Sequence, residues 1–484
     1  MKQFLSIELV NKKAILKNTN IQIVGTAINS VVGLLATALM ARYLGTIGFG
    51  KINLAMVYLS FSGIIAGMGY QTIIVREISK LKIWDEDIIR AILSGGIILR
   101  LLSVMAALLI LSLYLLPLDY DIEFKLQILL MASVHFVDIA NIFECIVRSK
   151  LRLKYVVYAS IIFRLSHLLL IFSCVLLQLS LTYFIFTFLV AAIIKVAMAI
   201  QFSKKFIRFH FIFNWQWIRF LFRHSVLLGI SGGLWIIYYR IDSLMLEFFM
   251  GIREVGLYNS AFRFIDYAYL LSGMLMASIF PLMAERYPGN PEGMRRIYQK
   301  TIDYTAIIGG ALSIGILLAS VPLIKFIFGS EYLPAVTTLR IFGFIPLLIF
   351  LNNAFGNMMV ALELQGKPLL CMRSVGVLIN VGLNLVCIPA FGYNGAAFAT
   401  VATELSLLAV VIVIIGRKIL FYPSLRNFFL MLALCSAVFA ATLSSINPLV
   451  VAIGASVVFI TMVAGVCRYD RSELLAAIFM KVRE

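Results

Sequence analysis

The chain has 484 residues, 62% of them hydrophobic and 13% charged, with a formal net charge of +18. Average soluble domains carry roughly twice that share of charged residues, so a soluble protein is excluded. A porin-like barrel is excluded as well, because its roughly 10-residue strands would alternate apolar with polar residues.

A membrane-crossing helix needs roughly 20 mostly apolar residues, and the chain has room for about 14 of them. In chain order the apolar runs place spans at 19–42, 52–75, 91–116, 125–147, 155–178, 181–203, 225–249, 256–283, 301–327, 336–362, 369–390, 395–416, 427–446 and 449–467. The expected fold is therefore an all-α polytopic membrane protein. An Ala36 to Ala38 pattern in the first run resembles a signal cleavage site, but that run is long enough to span, so it reads as an uncleaved anchor.

With an even number of spans, both termini lie on one side. The N-terminal segment, the even-numbered loops and the C-terminal tail hold 30 of the 41 Lys and Arg residues, which makes that side cytoplasmic. The positive charge is then mostly topological, and nucleic acid is not expected as a partner. The basic aromatic segment at 204–224 reads as an interfacial connector, its rings at headgroup depth and its Lys and Arg against anionic lipid.

An internal repeat runs at an offset of 206. LGTIGFGKINLA at 44–55 aligns with MGIREVGLYNSA at 250–261, matching Gly45 to Gly251, Gly50 to Gly256, Asn53 to Asn259 and Ala55 to Ala261. Six spans intervene, so the two halves share an orientation, as in parallel repeats. The expected organisation is a six-helix bundle at 1–203, the connector at 204–224, a second six-helix bundle at 225–416, and two additional helices with a cytoplasmic tail at 417–484.

The cysteines show no CxxC spacing and the histidines no HExxH, so neither a disulfide, a metal site nor any other cofactor is expected. No catalytic constellation stands out. Charge inside the hydrocarbon region costs several kcal/mol unless paired, hydrated or snorkelled, and each such residue is a functional candidate. Arg164 and Lys195 lie roughly 12 to 14 Å from the cytoplasmic ends of their spans, at about 1.5 Å per residue, near the midplane. Arg100, if its span begins near Ile97, snorkels to the cytoplasm.

Arg240 and Asp242 are about 200° apart around a helix, so one faces the cavity and the other a neighbouring helix. Arg240 is the expected cavity residue. Arg263 and Asp266 share a face and can pair, and Asp138 is positioned to neutralise Arg164. Asp138, Asp242, Asp266 and Glu404 are candidates for ion coupling or ion pairing. Asn353 with Asn357, and Asn380 with Asn384, present amides suited either to sugar hydroxyls or to interhelical hydrogen bonds. Gly63 with Gly67, and Gly229 with Gly233, permit close packing, and Pro346 is expected to kink its span.

Four segments, ARYLGTIGFGKINLA at 41–55, RIDSLMLEFFMGIREVGLYNSAFRF at 240–264, FGSEYLPAV at 328–336 and INVGLNLVCIPAFGYNGAAFATVATE at 379–404, resemble the polysaccharide transporter family. These are the oligosaccharide-lipid flippases of the multidrug/oligosaccharidyl-lipid/polysaccharide exporter superfamily. The resemblance implies two six-helix bundles around a central cavity, two further helices, and alternating access. It also implies a bacterial cytoplasmic (inner) membrane, a polyprenyl diphosphate-linked oligosaccharide as substrate, and a polysaccharide polymerase and glycosyltransferases as partners. On this reading Arg164, Lys195, Arg240 and Arg263, with the four asparagines, bind the substrate. A peptidoglycan-precursor lipid flippase, a drug/cation antiporter and a membrane polysaccharide polymerase are the alternatives. The antiporter calls for a net acidic cavity, and the polymerase for larger outer loops.

Overall fold

The computed structural model describes residues 2–444 apart from 82, 287–290, 363, 365, 366, 420 and 421, together with 454, 456 and 459. The span expected at 449–467 and the tail after it lie outside the described residues, three isolated positions excepted. The described elements are helical: α1 (Lys2–Gly67), α2 (Tyr70–Lys80), α3 (Glu86–Leu115), α4 (Ile122–Ala132), α5 (Val134–Asp138), α6 (Glu144–Ser149), α7 (Leu153–Leu176) and α8 (Leu181–Ser203). They continue with α9 (Trp215–Met250), α10 (Ile252–Arg286), α11 (Pro291–Ile327), α12 (Ala335–Phe342), α13 (Ile345–Ala361), α14 (Lys367–Ile419) and α15 (Arg426–Leu443). Ten helical stretches are long and apolar enough to cross a membrane.

The helices are apolar outside and more polar inside. On α3, Leu102, Met105, Leu109 and Leu113 are exposed, while Arg100, Ser103, Val104, Ala107 and Leu111 are buried. Water would penalise that outward face, and lipid accepts it.

Two sequence-expected spans join without a loop where one glycine turns the chain. Gly45 interrupts α1 at φ 66° and Gly392 interrupts α14 at φ 59°, a left-handed conformation that side chains other than glycine adopt at a cost. The expected kink at Pro346 takes another form. The helix ends near Gly343, and Pro346 stands in the first turn of α13, where its missing N–H would have had no partner. The connector is half helix: residues 207–214 are non-helical and α9 starts at Trp215, capped by Asn214 Oδ1, which accepts from the Trp217 N–H at 3.2 Å. The extended part is strapped to α3, with Arg90 Nε donating to the Arg208 carbonyl at 3.0 Å and the Ile212 N–H to Ser94 Oγ at 3.0 Å.

Contacts group the chain into two compact units, one of residues 1–259 with 373–393 and one of 260–372 with 394–484. The first contains a core of Tyr70, Ile74, Ile92, Ile142, Ile146 and Leu221, and another around Leu54, Tyr58, Leu111, Phe124 and Met131. The second is centred on α11, α13 and α15, where Tyr298, Leu317, Leu347, Phe355, Met358 and Met431 interlock.

Within the first unit the two copies of the repeat have the same local structure. Gly251, like Gly45, has positive φ and extended ψ. Asn53 Nδ2 donates to the Phe49 carbonyl at 2.8 Å, and Asn259 Nδ2 to the Val255 carbonyl at 2.9 Å, the same bond 206 residues later. The copies also meet reciprocally. A Cβ on Gly50 would lie 2.1 Å from the Ile252 oxygen, and one on Gly256 would lie 2.1 Å from the Thr46 oxygen. Thr46 and Ile252 are again 206 apart, so these two glycines form a two-fold backbone seam that no larger residue fits.

Candidate functional site

Three of the four intramembrane cations proposed as ligands are in the first unit. Arg164, on α7, is exposed, and its Nη1 is 3.7 Å from where a Gly33 Cβ would stand. The glycine thus leaves α1 room beside the guanidinium. Lys195, on α8, is half-buried and belongs to no ion pair among the described residues. Arg240, on α9, is half-buried with its guanidinium 4.9 Å from the centre of the Tyr239 ring, which stacks on Trp235 at 4.8 Å. Such a contact contributes about 0.5 to 2 kcal/mol and holds the charge without cancelling it.

Asp242, two residues on, is 3% exposed and turned to neighbouring helices. It accepts from Tyr258 Oη at 2.7 Å and from Asn384 Nδ2 at 2.6 Å. Asn384 also donates to Asn380 Oδ1 at 3.1 Å, and both amides are fully buried. Asn384 Oδ1 and Asn380 Nδ2 have no hydrogen-bond partner. A buried acceptor or donor left unmade costs about 1 to 3 kcal/mol, so this pocket has unused capacity for a polar ligand or an ion.

In the second unit Arg263 pairs with Asp266 at 3.1 Å, three residues apart on α10. Glu404 is 3% exposed and receives hydrogen bonds from Tyr269 Oη and Asn352 Nδ2, the latter also bonding the Glu404 carbonyl at 2.9 Å. Asn353 Nδ2 donates to Ser272 Oγ at 3.0 Å, and Asn357 Nδ2 to the Asn353 carbonyl at 2.8 Å. The structure therefore brings Asp242, Asn380 and Asn384 together, Arg263 with Asp266, and Glu404 with Asn352.

Two sequence expectations are corrected. Asp138 lies beside Asn141, Arg100 and His135 rather than Arg164: its Oδ1 accepts from Asn141 Nδ2 at 2.6 Å, and its charge acts on the other two. Arg100 does not snorkel. The helix starts at Glu86, capped by Asp85, so Arg100 is about 21 Å along it and only 8% exposed. Two polar residues escaped the sequence reading. Arg373 Nη1 donates to the Ser231 carbonyl at 2.8 Å and to Ser231 Oγ at 2.7 Å, and His135 is buried in the first unit. Arg373 had been counted as a loop charge, and a lone histidine in an apolar run carries little signal. Among the described residues no group of three or more His, Cys, Asp or Glu side chains is placed to hold a metal ion.

Long apolar helices kinked at glycines, with carboxylates, amides and guanidinium groups on their inner faces, define a multi-pass membrane protein built to handle polar cargo. A family model described as polysaccharide biosynthesis protein matches residues 15–286, more than half of the chain, and the chain belongs to that family. It is 27% identical over 185 residues to the teichuronic acid biosynthesis protein TuaB of Bacillus subtilis, covering 38% of this chain and 37% of TuaB. It is also 27% identical over 181 residues to the "Probable low-salt glycan biosynthesis flippase Agl15" of Haloferax volcanii, covering 37% of each. The matched stretches span about two fifths of these curated relatives. The fold is that of the lipid II flippase MurJ in an inward closed conformation, with a TM-score of 0.74 at 14% identity, over 92% of this chain and 98% of MurJ.

Proposed function

We propose that the protein is a flippase that carries a lipid diphosphate-linked oligosaccharide from the cytoplasmic to the outer leaflet by alternating access. The observation that carries this reading is the set of cations in apolar helices, Arg164, Lys195 and Arg240 in one unit and Arg263 in the other. A diphosphate supplies the counter-charge that such residues need in a membrane. Family membership and the named functions of the relatives support a saccharide-lipid cargo.

In this reading the chain has fourteen spans. The 47-residue stretch to Gly67 and the 51-residue stretch from Pro368 are each long enough to cross twice, about their glycine kinks. Residues 1–203 and 225–416 are the two moving bundles, 204–224 the connector, and 417–484 the added helices. Both termini are cytoplasmic, in the cytoplasmic membrane, and the glycine seam lies on the outer side. Arg164, Lys195, Arg240 and Arg263 hold the diphosphate, and Asn353, Asn357, Asn380 and Asn384 hydrogen-bond sugar hydroxyls. Asp242 and Glu404, already hydrogen-bonded by neutral donors, are the carboxylates placed to respond to a coupling ion. A polymerase and glycosyltransferases act before and after it. A membrane polymerase is disfavoured, since the described segments 116–121, 177–180 and 328–334 are too short to build a catalytic domain.

The test is reconstitution into liposomes holding three cargoes in parallel: a lipid diphosphate oligosaccharide, a peptidoglycan-precursor lipid and a lipophilic cation. Movement of the first alone supports the proposal. Movement of the second alone, or of the cation alone, replaces it with the corresponding alternative.

A further inference from the structure

The segment Ile122–Ser149 is long and apolar enough for a span, yet its helix breaks without a glycine or a proline. It runs as α4, α5, a 3-10 stretch at Ile139–Phe143, and α6. The sequence supplies a reason. His135, Asp138, Asn141 and Glu144 recur at every third position, a spacing that winds around an α-helix but lines up on one face of a 3-10 helix. Tightening the helix keeps four polar groups in one file, and a mid-helix 3-10 stretch often marks a working site.

The geometry selects one tautomer for His135. Its Nε2 is 3.1 Å from the Leu59 carbonyl and 3.0 Å from Ser62 Oγ, and Ser62 Oγ is itself 3.1 Å from that same carbonyl. A carbonyl only accepts, so Nε2 bears the hydrogen and Ser62 gives its own to Leu59. The lone pair is then on Nδ1. The α1 backbone lies against the ring, since a Cβ on Gly63 would stand 3.3 Å from Cε1.

The charges around the imidazole come from two elements. Asp138 acts on it from α5 itself and Arg100 from α3, while α1 offers only the Leu59 carbonyl and Ser62. The ionisable groups of α8, Tyr183 and Lys195, do not act on it. Tyr70 of α2 and Cys145 of α6 face Arg100, and Glu144 is engaged by Arg148 at 2.5 Å. Arg100 is nine-tenths buried, and its Nε has no hydrogen-bond partner. Asn141 Oδ1 is likewise buried without one. An aspartate held by an amide, a guanidinium with an unused donor and an imidazole with an open lone pair thus share one break in an apolar span.

We propose that this break is a proton-binding site, in which His135 Nδ1 takes up the proton while Asp138 stabilises the resulting imidazolium and Arg100 opposes it. The imidazole gains one proton and one positive charge and returns to neutral when it releases them. The consequence for transport rests on the flippase reading: the empty protein carries that extra charge on its return, so an inside-negative potential pulls the protonated form inward faster.

The binding step can be tested without any cargo. In lipid nanodiscs, protein labelled with 15N-histidine is titrated from pH 8 to pH 5, and the His135 signals are identified by their loss in His135→Gln, whose amide can still donate to the Leu59 carbonyl. The expected neutral form is protonated at Nε2 and converts to imidazolium during the titration. Asp138→Asn moves that conversion to lower pH and Arg100→Gln moves it to higher pH, opposite shifts that a purely structural role would not give. A neutral form protonated at Nδ1, no conversion above pH 5, or an unmoved conversion in Asp138→Asn overturns the proposal, and the last needs only that one variant to fold. In liposomes the pH dependence of flipping flattens in His135→Gln, and an unchanged pH profile there counts against the site. If the wild-type protein moves no saccharide lipid at all, the flippase reading fails while the titration still decides the proton site.

Discussion

Replacing Gly50 or Gly256 with alanine puts a methyl group 2.1 Å from a carbonyl oxygen of the other repeat, whereas ordinary contact begins near 3.4 Å. The obstructing atom is backbone in both cases, so no rotamer change makes room, and the seam must part by about an ångström or more. Overfilling a packed contact typically costs about 1 to 3 kcal/mol. If the seam is the outer closure of an alternating-access cycle, that cost falls only on the closed state and moves the equilibrium about 5- to 150-fold towards opening. Nitroxide labels at Ile47 and Arg253, both exposed and again 206 residues apart, read the separation by electron spin resonance in a cysteine-free background. The parent protein should show a dominant short distance, and Gly50→Ala and Gly256→Ala should each populate a longer one to a similar extent. The double variant should add little, because one obstruction already prevents closure. An unchanged short distance in both variants, or a strong effect in only one of them, would refute the reasoning.

Arg164→Ala and Arg240→Ala should each reduce surface saccharide at least tenfold at equal protein abundance, read by glycan staining beside an immunoblot. Arg100→Ala should instead lower protein abundance, since it removes a buried side chain. Glu404→Ala leaves Tyr269 and Asn352 without their buried acceptor, and at about 1 to 3 kcal/mol for each orphaned group it should lower thermal stability in detergent well beyond Glu404→Gln. Cysteines replacing the exposed Asp121 and Ser330 should react with an impermeant thiol reagent added outside intact cells, whereas one at Lys150 should not.

The repeat was legible because its residues cannot be exchanged. Gly45 and Gly251 turn the chain at positive φ, Gly50 and Gly256 leave no room for a Cβ, and Asn53 and Asn259 bond the carbonyl four residues back. The pairing of Arg263 with Asp266 followed from helical spacing alone. The broken fourth segment was hidden because glycine and proline are the usual marks of a break and it has neither. Its mark was a polar residue at every third position, a period that a search tuned to 3.6 passes over. The depth of Arg100 depended on where α3 begins. Its polar first turn, capped by Asp85, extends the helix well before the apolar run and carries Arg100 inward. The destination of Asp138 depended on which helices are neighbours, and spacing along one chain does not give that.

The central claim, that cations in the membrane carry an anionic lipid outward, is tested most directly by voltage. Taking the diphosphate as roughly two negative charges, outward movement across about 100 mV, inside negative, is downhill by about 4 to 5 kcal/mol. In proteoliposomes with equal pH on both sides and no sodium, a potassium-diffusion potential negative inside should accelerate outward flipping of a lipid diphosphate oligosaccharide. Reversing its sign should slow that flipping, and Arg164→Ala and Arg240→Ala should weaken both responses. A rate indifferent to either sign would contradict the account.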